Sequence, residues 1–489
     1  MSKLKRIVRN ISITFLSNNL LKVLSTVLVI LIARYLGDVE YGKFSFAISF
    51  TGLFLILMDL GTRISIVRDI AQNRKEASKI VANTLMLKFV SSFIVYFIIL
   101  GLAFALSYSR ETIIAIAIAA AGLIFESLSI TVSSIFQAFE NLEISAVTKL
   151  ARILLRFIFT IPLLINGSSF LLVLVVYAIV QFIDFAISLA ICYKSFVKLS
   201  FEFDKKLMIT IAKKAFPFLL SGIFVTVYFR VDITLMSKLA PTSLQGFYDT
   251  VSREAIIGWY SSAYNLLDAV AALAAAVSVS ILPVAIIFFK ESSEKLVRLY
   301  STSVRFLIYI ALPLAVGTTL LADKIILLIY GQNYSNATLA LKILIWAIIP
   351  LFINYMMGAI LIAIHQEKKG VIILFLNVFV NVGLNIFLIP KYSLYGAAAA
   401  TFLTEIFYFC GYYLITSKYF KPLNLVQIIF KPLIASVAMG LVVYYLLNLN
   451  LFILIFLGVI IYSGSMILFK AITQEDKELI NRVFVKKEF

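Results

Sequence analysis

This chain is short of the residues that soluble enzymes rely on. Charged residues fill only 14% of its 489 positions while 62% are hydrophobic, against about 25% charged in soluble domains. That shortage excludes a soluble enzyme and a disordered chain. The one histidine, His365, cannot build a His-based metal site. The two cysteines, Cys192 and Cys410, lie inside apolar runs, so no disulfide framework is implied. Long polar segments are scarce as well. The longest separates the sixth and seventh apolar stretches and has about 20 residues, too few for an ATPase or catalytic domain. Energy for any transport is therefore expected from an ion gradient, the membrane potential or the substrate gradient. No Ser/His/Asp set, CxxC pair or acidic sugar-nucleotide motif is present.

What is abundant is uninterrupted apolar sequence. A transmembrane helix needs about 20 predominantly apolar residues, and fourteen such stretches can be marked between residues 11 and 470. The first follows a basic start (Lys3, Lys5, Arg6, Arg9) but has no small-residue cleavage site, so it is expected to be a retained helix rather than a signal peptide. With both termini in the cytoplasm, 31 of the 43 Lys and Arg residues fall on the inner side and 8 on the outer. That asymmetry matches the positive-inside rule. It also explains the net charge of +18 as a collar facing anionic lipid rather than a nucleic-acid groove.

The expected fold is all-α: a polytopic membrane protein with about fourteen spans in two six-helix lobes plus two C-terminal helices. The lobes rest on a weak internal repeat. Glu40-Tyr-Gly42 after the first helix answers Ile257-Gly258-Trp-Tyr after the seventh, and Asp184 answers Glu405. Six is even, so the halves share one orientation, a parallel repeat with substrate sites near midplane. The expected boundaries are 1–192 for the first lobe, 193–213 for a cytoplasmic linker, 214–417 for the second lobe, and 418–489 for two extra helices and a tail.

Ten ionisable residues fall within spans: Lys22, Asp59, Lys88, Glu126, Arg156, Asp184, Arg230, Asp232, Asp268 and Glu405. Each costs about 2.5–3.5 kcal/mol at a helix centre, so they are expected to pair or to line a wet cavity. Arg156, Asp184, Glu126 and Glu405 read as structural pairs within a lobe, while Lys88 and Asp59 read as snorkelling to the inner interface. Lys22 and Arg230 are the candidates to face a central cavity and meet an anionic substrate group, with Asp268 positioning a cation there. A second set is Asn377, Asn381 and Asn385, spaced i, i+4, i+8 on one helix face. With Thr401 and Asp232 they offer hard oxygen ligands suited to Na⁺. The alternative is an asparagine ladder that joins helices.

Gly37-Asp-Val-Glu-Tyr-Gly42-Lys43-Phe44 nearly fits a phosphate loop, but Phe44 replaces the magnesium-binding hydroxyl and the segment follows a helix. Two glycines in an interhelical turn explain it. Outer Asn-x-Ser/Thr triplets begin at Asn166, Asn333 and Asn336.

Several segments together resemble the polysaccharide (lipid-linked oligosaccharide) flippases of the multidrug/oligosaccharidyl-lipid/polysaccharide exporter superfamily. They are Ala33-Arg-Tyr-Leu-Gly37, Glu40-Tyr-Gly42, Leu60-Gly61 leading to Arg68, and Phe136-Gln-Ala-Phe-Glu140. Tyr228-Phe-Arg-Val-Asp232, Tyr330-Gly331 with Tyr334, and the run from Asn385 through Pro390 and Gly396 to Glu405 complete the set. The resemblance implies two six-helix lobes around a cavity lined mainly by helices 1, 2, 7 and 8. It implies alternating access for a polyprenyl-(di)phosphate oligosaccharide, with no enzymatic activity and with Na⁺ or H⁺ as the coupling ion if there is one. It implies a multi-pass plasma-membrane protein whose partners are the lipid-linked substrate and membrane lipids. Carried onto this sequence, the cation site would comprise Asp232, Asn381, Asn385 and Thr401. Drug-exporting cousins carry an acidic residue in helix 1, where this chain has Lys22, which favours an anionic cargo. The connection from Pro241 to Arg253 is longer than the family's usual tight turn. The competing expectation is an ion-coupled exporter of organic cations using Asp268 or Asp232. A glycan polymerase or ligase is disfavoured by the short outer loops.

Overall fold

The computed structural model describes residues 3–198, 202–420 and 423–471, with side chains from Ser17 onward. The basic start and the tail beyond residue 471 lie outside the described side chains. Among the described residues the chain is helical throughout, apart from one isolated bridge between Leu244 and Tyr248. Contacts divide it into two units, residues 1–261 and 262–489. This division follows contacts, whereas the expected lobes at 1–192 and 214–417 follow sequence self-similarity.

The first unit holds α1 (Lys3–Gly52), α2 (Leu55–Asp59), α3 (Thr62–Gln72), α4 (Ala77–Ala105), α5 (Arg110–Ala138), α6 (Leu142–Ile165), α7 (Phe170–Ser195) and α8 (Lys205–Leu239). Helix α9 (Arg253–Glu291) crosses into the second unit. That unit continues with α10 (Ser293–Ile329), α11 (Ala337–Leu344), α12 (Ile348–Ala363), α13 (Glu367–Thr416), α14 (Leu425–Tyr445) and α15 (Leu451–Leu468).

Eleven helical stretches among the described residues are long and apolar enough to cross a membrane. Two of them each hold two expected spans. Helix α1 changes direction at Gly37 (φ 77°) and α13 at Ser393 (φ 52°), where the expected spans part. The expected span 144–165 is helix α6, which is not among the eleven. Lys149, Arg152 and Arg156 put three cations into any membrane-length window of it.

Burial runs opposite to a soluble protein. Large apolar side chains such as Phe97, Phe387 and Val426 are more than half exposed, while Lys88, Gln181 and Asn385 are fully buried. Only a hydrocarbon surround makes that arrangement favourable, because the outer faces then lose nothing and the polar groups find partners inside. Helix α5 centres the first unit. Its small residues Ala115, Ala119, Ala120 and Gly122 are buried and let α7 and α4 approach closely. Helix α12 is nearly wholly buried in the second unit, packed on α10 and α13. Side-chain caps start several helices: Ser109 accepts from the Thr112 amide at 3.2 Å, and Asp204 from the Leu207 amide at 3.1 Å.

Two sets of long-range contacts tie the first unit together. The segment before α8 is strapped down: Lys79 pairs with Asp204 at 2.8 Å, Asn83 donates to the Glu202 carbonyl at 2.9 Å, and Lys214 pairs with Asp69 at 2.8 Å. At the α1 turn, a Cβ on Gly42 would collide with the Glu254 carbonyl, and a Cβ on Gly258 with the Asp38 carbonyl. The two contacts are reciprocal across 216 residues, 42 matching 258 and 38 matching 254. Trp259 Nε1 also donates to Asp38 Oδ2 at 2.9 Å. These two glycines therefore serve close approach of backbone within helices, and of the two glycines expected in the interhelical turn only Gly37 lies at it.

Candidate functional site

The polar residues picked out along the sequence divide between the units. Lys22, Arg230 and Asp232 belong to the first; Asp268, Asn381, Asn385 and Thr401 belong to the second.

Arg230 is half-buried on α8 and lies against α1. Its Nη1 donates to the Ile48 carbonyl at 3.4 Å. A Cβ placed on Gly52 would sit 2.7 Å from Nη1, 2.8 Å from Cζ and 2.9 Å from Nε. Gly52 is thus the seat of the guanidinium, and a side chain there would push it away. Arg230 forms no ion pair among the described residues. Lys22 is half-buried on the first part of α1, where Ser25 Oγ donates to its carbonyl at 3.0 Å. Asp232 is two residues beyond Arg230, is 5% exposed and accepts from Tyr260 Oη at 2.9 Å.

In the second unit Asp268 is half-buried on α9, and its charge bears on Tyr355 of α12. The three asparagines are buried on one side of α13, as their spacing requires. Asn385 Nδ2 donates to the Asn381 carbonyl at 3.0 Å and to Asn381 Oδ1 at 3.3 Å. Thr401 Oγ1 donates back to the Ala397 carbonyl at 3.1 Å. These bonds consume donors and leave oxygen lone pairs, which is the capacity a hard cation would use.

The remaining membrane charges are settled inside their own units. Lys88 and Asp59 do not snorkel as expected; they hydrogen-bond to each other in the core, with Lys88 fully buried and also donating to the Ser127 carbonyl at 3.2 Å. The Leu60–Gly61 pair, both left-handed, ends α2 just beside them, so the chain turns where the ion pair holds it. Asp184 takes Arg152 at 3.6 Å rather than Arg156, one turn away on the same helix. Arg156 stacks on Tyr177, 4.3 Å from the ring centroid. Glu126 accepts from Tyr177 Oη at 2.8 Å and Gln181 Nε2 at 2.6 Å, and Glu405 accepts from Asn354 Nδ2 at 2.8 Å. That Glu126, Arg156, Asp184 and Glu405 find partners within a unit agrees with the expectation, but those partners are Arg152 and uncharged groups rather than one another. The partners Arg152, Tyr177, Gln181 and Asn354 were not legible in the sequence. Arg152 falls on the expected inner segment, and the others are uncharged and draw no notice in a span.

Residues 7–286 match the family model described as polysaccharide biosynthesis protein. The lipid II flippase MurJ of Bacillus subtilis (strain 168) is 23% identical over 203 residues, which are 41% of this chain and 37% of that protein. The match therefore spans little more than a third of that relative's length. A solved structure of lipid II flippase MurJ in an inward closed conformation is 19% identical with a TM-score of 0.76, covering 94% of this chain and 99% of that one. An inward-facing multidrug resistance MATE family transporter of the MOP superfamily is 16% identical with a TM-score of 0.63, covering 81% of this chain and 94% of that one. These likenesses show the fold, an all-helical architecture with many membrane-length apolar helices.

Proposed function

This chain belongs to the polysaccharide biosynthesis protein family, and on that premise we propose that it is a flippase. Its cargo is a polyprenyl-(di)phosphate-linked oligosaccharide, carried from the cytoplasmic to the outer leaflet of the cell membrane by alternating access, with both termini cytoplasmic. A charged, sugar-bearing head cannot cross hydrocarbon unaided. The observation that carries this reading is Arg230. A guanidinium in a membrane span is costly, yet this one is seated on Gly52 and bonded only to a backbone carbonyl, with no carboxylate among the described residues to neutralise it. Such a cation is suited to hold a phosphate. Lys22 shares the role from α1. An inside-negative potential favours outward movement of a dianion by about 4.6 kcal/mol per 100 mV.

Coupling to Na⁺ or H⁺ is part of the proposal, with Asn381, Asn385 and Thr401 as the oxygen ligands that the second unit offers, and Asp268 as a carboxylate of that same unit. The second reading, an ion-coupled exporter of organic cations, is favoured by the fold shared with MATE transporters and by the carboxylates Asp232 and Asp268. Reconstitution into liposomes with a defined polyprenyl-diphosphate oligosaccharide separates the two. Enzymatic access to the head from the far side should depend on protein and fall in the variant Lys22→Ala/Arg230→Ala. Unchanged flipping by that variant removes both residues from the mechanism, and drug efflux without flipping selects the second reading.

A further inference from the structure

At one end of the first unit, between the α4–α5 turn, the end of α8 and the start of α9, is a pocket of about 370 Å³. The Lys and Arg asymmetry assigns this end to the outer face. We propose that the pocket is a binding site for a phosphate oxyanion, either on a lipid head group or as free phosphate.

Three cations reach the wall, but one is already matched: Lys43 pairs with Glu40 at 2.9 Å and Glu111 at 2.8 Å. Lys238 and Arg253 are not. Lys238 Nζ sits 3.8 Å over the Tyr108 ring and donates to the Leu106 carbonyl at 2.6 Å. Arg253 donates through Nε to the Ala240 carbonyl at 2.9 Å, which leaves its two terminal nitrogens as a fork for two oxygens. Their positive charges act on each other. Glu254, in the first turn of α9, is the one carboxylate on the wall, where the helix N-terminus already favours negative charge. Two exposed cations, each anchored on a backbone carbonyl of the same pocket, offer an anion charge from two directions.

The rest of the wall suits a phosphate that carries hydroxylated neighbours. Seven of the thirteen lining residues bear hydroxyls. Tyr108 Oη and Ser237 Oγ are hydrogen-bonded at 2.8 Å, as are Ser109 Oγ and Thr112 Oγ1 at 2.8 Å. These links fix the hydroxyls while each keeps a lone pair or proton for a ligand. The ordered connection from Pro241 to Arg253 closes one side, with Val251 N donating to the Thr242 carbonyl at 2.8 Å. Its extra length over a tight turn is thereby explained as part of a wall. The inference rests on this geometry and not on the flippase reading.

The test uses the full-length protein, delipidated in dodecyl maltoside, which carries no phosphate. Calorimetric titration with inorganic phosphate is one arm, and titration with micelles containing phosphatidylglycerol is the other. One equivalent should bind in at least one arm, and which arm answers identifies the source. Lys238→Ala/Arg253→Ala should weaken that binding by roughly tenfold or more, while Lys238→Arg keeps it. If the double variant does not purify, Arg253→Gln, on an exposed side chain, makes the same test. No binding by the wild type in either arm, or equal binding by the charge-removed variant, overturns the proposal. Because transport is not read, failure of the flippase reading leaves this result intact.

Discussion

Inside the first unit Lys88 meets Asp59 and Arg152 meets Asp184, whereas inside the second Glu405 meets the neutral amide of Asn354. Among the described residues four buried charges lie in the first unit (Asp59, Lys88, Asp184, Asp232) and one, Glu405, in the second. Both units bury amides and hydroxyls, such as Asn83, Thr84 and Gln181 in the first and Asn377, Asn381, Asn385, Thr401 and Thr404 in the second. Two buried carboxylates of the first unit are met by cations, Asp59 by Lys88 and Asp184 by Arg152, whereas Glu405 of the second is met by an amide. The contrast has a consequence for sensitivity. Removing half of a buried ion pair strands a charge, while removing half of a neutral pair strands a dipole.

The sharpest test of that contrast is Lys88→Met. It leaves Asp59 alone in the core and should lower stability by about 3–5 kcal/mol, with Lys88→Met/Asp59→Leu recovering most of the loss. Unfolding in mixed micelles measures both. Equal losses in the single and double variants would place the contribution in packing rather than charge.

Gly52→Val comes next. Its new side chain meets the flexible end of Arg230, not backbone, so the fold should hold while the guanidinium is displaced. Flipping should drop by roughly tenfold, as expected for losing a charge-assisted phosphate contact, and Arg230→Ala should add little to it. Normal flux in the Gly52 variant would show that the seat is not used.

In the second unit, Asn385→Ala removes an amide bonded to the neutral amide of Asn381 and should cost about 1–3 kcal/mol, visibly less than the Lys88 variant. A loss as large as that of Lys88→Met would erase the distinction between the two units.

The smallest effect concerns the strap before α8. Its hydrogen bond to Lys79, with a further one from the Leu207 amide, holds the Asp204 carboxyl below its ordinary value. The strap's contribution is therefore present above roughly pH 4 and fades as pH falls through the lower folded value. Protection of the Leu207 amide, taken relative to its intrinsic exchange rate at each pH, should fall on acidification, and Asp204→Asn should flatten that fall. An unchanged acid limb in the variant would assign the strap to the Asn83 bonds alone.

Much of the fold was legible because hydropathy has a length scale: about 20 apolar residues mark a span whatever it packs against. Depth within a span was legible too, since the rise per residue is fixed. Azimuth and neighbour were not. Lys88 could be placed near the inner half of its helix, but nothing local reveals that it turns toward Asp59, 29 residues away, rather than toward the interface. Depth alone pairs Asp184 with Arg156 where the structure pairs it with Arg152, a difference of one turn on one face. The bond from Arg230 to Ile48 and its seat on Gly52 join positions more than 170 residues apart, and no periodicity carries that information.

The reciprocal glycines at 42 and 258 have a genetic corollary. Each abuts a main-chain carbonyl, of Glu254 and Asp38 respectively. A bulky replacement at either position therefore faces no side chain that a compensating mutation could trim. Second-site revertants should map to residues that let one backbone segment shift, not to the residue opposite, so the two positions are expected to stay fixed together however far the rest of the sequence diverges.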